Sequence, residues 1–246
     1  MFDKKCVYKL RNMSNFSRDD LMRAMQTCQG SKIVGDATFK ARLNSLLNDG
    51  RIARIGRNAY IVPEQHMRQY HYAYSDLSND VANLIIKKHP FLTFSIFELV
   101  QLNEFVNHQL AHNVVFVSVE SNLGDFVFET LKEAFPGRVL INPTLDLFHQ
   151  YWMDNVIVIR KLASEAPKGN KQSWHTRLEK LLVDLMSDPL LMDSISQGEL
   201  PGIYEEAFSR YVIDESHLFR YAKRRTADKR IKQFIHEKTM IKLRIS

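Results

Sequence analysis

Residues 36–63 read DATFKARLNSLLNDGRIARIGRNAYIVP, and the change of period inside that stretch decides the N-terminal fold. Phe39, Leu43, Leu46 and Leu47 recur at helical steps after Gly35, and Asp49-Gly50 ends the pattern. Two short runs rich in β-branched and aromatic residues then flank Gly56-Arg57-Asn58, which predicts a β-hairpin closed by Pro63. Opposite the apolar stripe fall Ala37, Ala41, Asn44, Ser45 and Asn48, small or neutral side chains that permit close approach to a groove. Thr38, Lys40 and Arg42 flank this face, Lys32 precedes it, and Arg51, Arg54 and Arg57 decorate the hairpin.

Upstream, Ser17-Arg18-Asp19-Asp20 opens a helix in the Ser-x-x-acid manner, and Leu21, Ala24, Met25 and Cys28 carry it until Gln29-Gly30. Phe2, Cys6, Leu10 and Met13 predict a first helix before it. Helices followed by a slim-faced helix and a cationic hairpin make a winged helix-turn-helix over residues 1–65, with these cations and polar groups placed for phosphates and base edges. The competing readings are a winged helix that binds protein or RNA, and a hairpin whose charges merely keep an edge soluble.

Residues 66–77 form a polar linker in which Tyr70, Tyr72 and Tyr74 alternate, suited to covering a joint between domains and, less simply, to stacking on bases. From 78 to 246 apolar strands at 93–99, 114–119, 138–141 and 156–160 alternate with helices at 102–111, 123–135 and 145–151. Residues 164–173 form a loop, and helices follow at 178–186, 203–211 and 217–236. The fold class is therefore α+β: the N-terminal module, then a mixed α/β domain with a partly parallel sheet and a helical C-terminal end.

Charge is unevenly spread. Residues 1–68 hold 13 Lys/Arg against 6 Asp/Glu, residues 69–219 hold 11 against 20, and residues 220–246 hold 10 against 2. A basic module joined to an acidic one points to an anionic partner for the first and a different partner for the second. The apolar runs are too short for a membrane helix, and the start lacks an apolar segment behind its charges, so the expectation is a cytoplasmic protein with Cys6 and Cys28 reduced.

No catalytic signature emerges. Glu98 and Glu120 close two strands with Asp125 nearby, but no lysine stands where a restriction-type nuclease needs one, which makes a metal-dependent nuclease the distant alternative. His108 and His112 lie at i, i+4 without the glutamate of a zinc protease. No enzyme activity, cofactor or metal is expected. Lys223, Arg224 and Arg225, followed by Lys229, Arg230 and Lys232, have two readings: pairing with Glu179 and Asp184 inside the helical end, or an exposed basic face for DNA or an acidic partner.

The segment 46–62 resembles the helix-to-wing region of AbiEi-type antitoxins of bacterial abortive-infection systems, with Arg57-Asn58 where that family has Arg-Gly. Residues 176–185, 204–211 and 218–225 resemble its helical end, with Thr176-Arg177-Leu178-Glu179-Lys180 in place of Pro-Thr-Leu-Glu-Lys. The resemblance implies a DNA-binding autorepressor acting at inverted repeats of its own promoter, and opposition to a nucleotidyltransferase-like toxin. The alternative is a defence-system interaction module without DNA binding.

Overall fold

A computed structural model describes residues 7–28, 34–64, 67–120 and 122–244. The chain divides into two compact units, one of Met1–Tyr70, Ala207–His217 and Ile241–Ser246, the other of His71–Glu206 and Leu218–Met240.

In the first unit, residues 7–10 form a helical turn, followed by α1 (Arg18–Cys28), α2 (Asp36–Asn48), β1 (Ala53–Gly56) and β2 (Ala59–Ile61). Ser17 and Asp20 start α1 reciprocally: the Ser17 hydroxyl and N–H donate to the Asp20 carboxylate at 2.7 and 2.9 Å, and the Asp20 N–H donates back at 3.2 Å. Phe16, Leu21, Met25, Phe39, Leu43, Leu46, Ile52 and Tyr60 fill one core, so the stripe on α2 faces the helix before it and the hairpin after it. Phe16 and Tyr60 exchange backbone hydrogen bonds of 2.8 and 2.9 Å, which ties the approach to α1 onto β2. At the hairpin turn Asn58 adopts φ 55° and accepts the Arg18 N–H at 2.9 Å. A left-handed turn residue thus also satisfies one orphan donor of α1.

The C-terminal returns complete this unit. Val212 packs with Ala53, Ile55 and Ile61, and Arg68 exchanges backbone hydrogen bonds with Arg210 and Val212 at 3.0 Å each.

The second unit starts with α3 (Asp76–Lys88), capped by the Ser75 hydroxyl, then β3 (Phe94–Glu98), a 3₁₀ turn at Leu99–Glu104, β4 (Val114–Val119), α4 (Gly124–Ala134), β5 (Val139–Ile141), α5 (Leu145–Gln150) and β6 (Val156–Lys161). The sheet runs β3-β4-β6-β5, with β3 antiparallel to β4 and the other pairs parallel. Val115, Val117, Val119, Ile157 and Ile159 meet α3 and α4 on one face. Phe116 meets Phe97 and Phe148 on the other. The mixed sheet and helical end agree with the sequence expectation. Helices α6 (Leu178–Asp184), α7 (Pro189–Ser194), α8 (Leu200–Arg210), α9 (Glu215–Arg224) and α10 (Asp228–Lys238) follow, with residues 207–210 of α8 and 215–217 of α9 belonging to the first unit.

Three local expectations need correction. The predicted helix at 102–111 is the 3₁₀ turn and a loop, held by Asn103, whose amide donates to the Leu110 carbonyl at 3.1 Å and accepts the Leu110 N–H at 2.6 Å. A side chain that bonds backbone so completely competes with helix. The predicted helix at 217–236 is two helices, broken where Thr226 takes φ 54°. Helix α3 replaces part of what reads as linker and region start, although Val81, Ala82 and Ile85 already carried its buried face. Among the described residues no helix is long and apolar enough to cross a membrane.

Candidate functional site

Helix α2 is two-sided by physical necessity. Phe39, Leu43 and Leu46 are buried, while Ala37, Thr38, Lys40, Ala41, Asn44, Ser45 and Asn48 are exposed and Arg42 is half-buried. Asp36 begins the helix and gathers two cations, Lys40 Nζ at 2.8 Å and Arg18 at 2.6 Å. Lys40 chiefly, by hydrogen bonding, holds the Asp36 carboxyl below its ordinary range. Both partners stand in solvent, where such pairs are screened and hold little, so Lys40 can exchange Asp36 for a phosphate.

On the hairpin, Ala53 and Ile55 point inward and Arg54 between them is exposed. Arg54 Nε donates to the Gly56 carbonyl at 3.0 Å, which holds the guanidinium along its own strand. Arg57 is exposed at the turn, and its backbone N–H donates to Ser216 Oγ at 3.3 Å. Arg51, half-buried, stands 3.8 Å from Asp49. Lys32 lies outside the described residues. The first unit therefore brings Thr38, Lys40, Arg42, Asn44 and Ser45 onto one helix, and Arg51, Arg54 and Arg57 onto the chain that follows it directly.

The basic C-terminal residues divide between the two roles read from sequence. Arg225 is structural: its Nε donates to Ser187 Oγ at 3.0 Å and stands 3.6 Å from Asp184. Arg224 pairs with Glu165, whose carboxyl it draws below the ordinary range. Lys223 and Lys229 are exposed. Glu179 instead meets Arg177 at 2.8 Å.

Asp184 is the centre of a buried polar network that the sequence reading saw only in part. Lys180 Nζ lies 2.5 Å away, Tyr221 donates at 2.9 Å, and Arg160 stands at 3.7 Å. Burial opposes the charge on Asp184, but Lys180, Arg160 and Arg225 outweigh it and hold the carboxyl below its ordinary value. The i, i+4 spacing of Lys180 and Asp184 was visible. Arg160, which also pairs with Asp188 at 2.7 Å, comes from a strand and was not.

The strand-end acids have separate settings. Glu98 is fully buried and accepts from Tyr72 at 2.7 Å, from Ser78 Oγ at 2.5 Å and from the Ser75 N–H at 3.1 Å. Burial, then Glu98, pushes the Tyr72 hydroxyl far up. This carboxylate anchors the start of α3. Glu120 and Asp125 line a cleft of about 270 Å³ with Lys161, where β4, β5 and β6 end. His108 and His112 are not on a helix and have different partners, Glu199 at 3.1 Å and Asp154 at 3.9 Å. Among the described residues no three His, Cys, Asp or Glu groups gather for a metal ion. Of the linker tyrosines, Tyr70 stacks edge-on with Tyr211 in the first unit, while Tyr74 bonds the Ile96 carbonyl at 2.9 Å in the second.

A model of a family of unknown function, DUF6577, matches residues 38–241. The chain belongs to DUF6577. The matched span opens inside α2, so it takes in the polar face from Thr38 onward, the hairpin and all of the second unit of this DUF6577 member. No curated protein matches the chain.

Proposed function

We propose that this DUF6577 member is a DNA-binding transcriptional regulator whose residues 1–65 act as a winged helix-turn-helix. One observation carries the reading: the exposed face of α2, with Thr38, Lys40, Asn44 and Ser45, leads directly into a hairpin on which Arg54 and Arg57 are exposed. Asn44 and Ser45 have the donors and acceptors to read base edges in a major groove, and the short side chains of Ala37 and Ala41 let the helix backbone approach. Arg54 and Arg57 then serve as phosphate or minor-groove contacts. The excess of 13 Lys/Arg over 6 Asp/Glu in residues 1–68 supplies the long-range attraction. The likeness to AbiEi-type antitoxins extends the reading to autorepression and to opposing a nucleotidyltransferase-like toxin, with the second unit meeting that partner. No catalytic step is assigned to the chain.

The test is a gel-shift titration of the full chain on duplex DNA from upstream of its own gene, against an unrelated duplex of equal length. The reading expects preference for the upstream duplex, reduced by Asn44→Ala with Ser45→Ala. Equal binding to both duplexes would remove the regulator role, and binding to neither would remove the DNA role altogether. A neighbouring gene for a nucleotidyltransferase-like protein is the matching expectation for the antitoxin role, and its rescue from toxicity by this chain is the measurement.

A further inference from the structure

The second unit carries a surface that the DNA reading does not use. Within nine residues around α5, Leu145, Leu147, Tyr151, Trp152 and Met153 are each 38–55% exposed. Soluble chains scatter exposed apolar side chains singly, and a run of five including Trp and Tyr is the composition of a binding surface. Beside it lies a groove of about 290 Å³ whose walls include Leu99, Leu110, Phe148 and Trp152, with Asp193 among its lining residues. His112 sits edge-on to Trp152 at 5.0 Å.

Charge decides the occupant. Between Arg138 and Arg160 the chain has no Lys or Arg but holds Asp146 and Asp154, and apart from His112 and His149 no lining residue of the groove is basic. Asp193 is 37% exposed, and its neighbour at 2.9 Å is the exposed His149. A pair this exposed leaves the Asp193 carboxylate within reach of an incoming cation. A two-fold contact of this face with a second copy would gather Asp146, Asp154 and Asp193 of both copies in one interface, where like charges repel.

We propose that this groove docks a distinct protein through an arginine-bearing apolar segment. The arginine stem lies along Leu99 and Leu110, its guanidinium reaches Asp193 and the Trp152 ring, and neighbouring aliphatic side chains of the partner cover Leu147 and Tyr151. The proposal is independent of DNA binding, since every residue it uses belongs to the second unit.

Random dodecapeptides displayed on phage, selected on the full chain after depletion on its Trp152→Ala variant, supply the probe. Enriched peptides are synthesised and titrated against the wild type, Trp152→Ala and Asp193→Asn, with circular dichroism confirming that both variants fold. The expected result is enrichment of Arg next to Leu, Met or Phe, with affinity lost about tenfold or more in Trp152→Ala and severalfold in Asp193→Asn. Asp193→Asn keeps the assay decisive should Trp152→Ala fail to fold. No enrichment, peptides without cations, or affinities indifferent to both variants would overturn the proposal. Self-association of the wild type that Trp152→Ala abolishes would also overturn it, by making the occupant a second copy.

Discussion

Asp184 is 3% exposed, faces three cations and accepts a hydrogen bond from Tyr221, so its removal leaves Lys180 buried without its nearest partner. Asp184→Asn is expected to cost about 3–5 kcal/mol in chemical denaturation. Lys180→Met should cost less than half of that, because Arg160 and Arg225 remain within 3.7 Å of the carboxylate. The pH dependence follows from the direction of the shift. Because Asp184 titrates below its ordinary value in the folded chain, its contribution is complete above about pH 4 and disappears as pH falls through the depressed folded value. The stability gap between wild type and Asp184→Asn should therefore hold from neutrality to about pH 4 and close below it. Asn58 tests the hairpin: Asn58→Ala loses the bond to Arg18 and keeps the left-handed φ of 55°, so it should cost about 1–2 kcal/mol more than Asn58→Gly. The tolerance of asparagine for that conformation was readable from Gly56-Arg57-Asn58. Its bond to Arg18, forty positions earlier, was not.

Among elements, those with one strong local period were legible, and those decided by a single long-range bond were not. The stripe on α2 and the apolar strand Val114–Val119 follow directly from spacing and β-branching. The loop after Leu99–Glu104 does not, because one amide, Asn103, closes it onto Leu110 across seven residues. The break between α9 and α10 has no glycine or proline to announce it. Thr226 bears a left-handed conformation there that glycine adopts without penalty, so Thr226→Gly should be neutral or stabilising by up to about 1 kcal/mol in thermal melts. On α2 the two faces predict opposite behaviour. Leu46→Ala should destabilise by about 2–5 kcal/mol, whereas Asn44→Ala should stay within about 0.5 kcal/mol of wild type in denaturant titrations. The candidate site was legible for the same reason: an exposed face needs no partner within the chain, and its cations can be read from periodicity alone.

Across the whole molecule, sequence charge separates a basic N-terminal stretch from an acidic middle, whereas residues 207–217 and 241–244 return to the N-terminal unit. No periodicity announces those returns, since they are fixed by Val212 against Ile55 and by the Arg244 N–H donating to Glu215 at 2.9 Å. The N-terminal unit is expected to hold an anionic polymer, and the most direct test is fluorescence anisotropy of the upstream duplex across a range of salt, for the wild type and for Arg54→Ala with Arg57→Ala. Log affinity should fall linearly with log salt for the wild type, and the double variant should bind more weakly with a slope shallower by roughly 2, one for each lost phosphate contact. An affinity and slope unchanged by the double substitution would contradict the account.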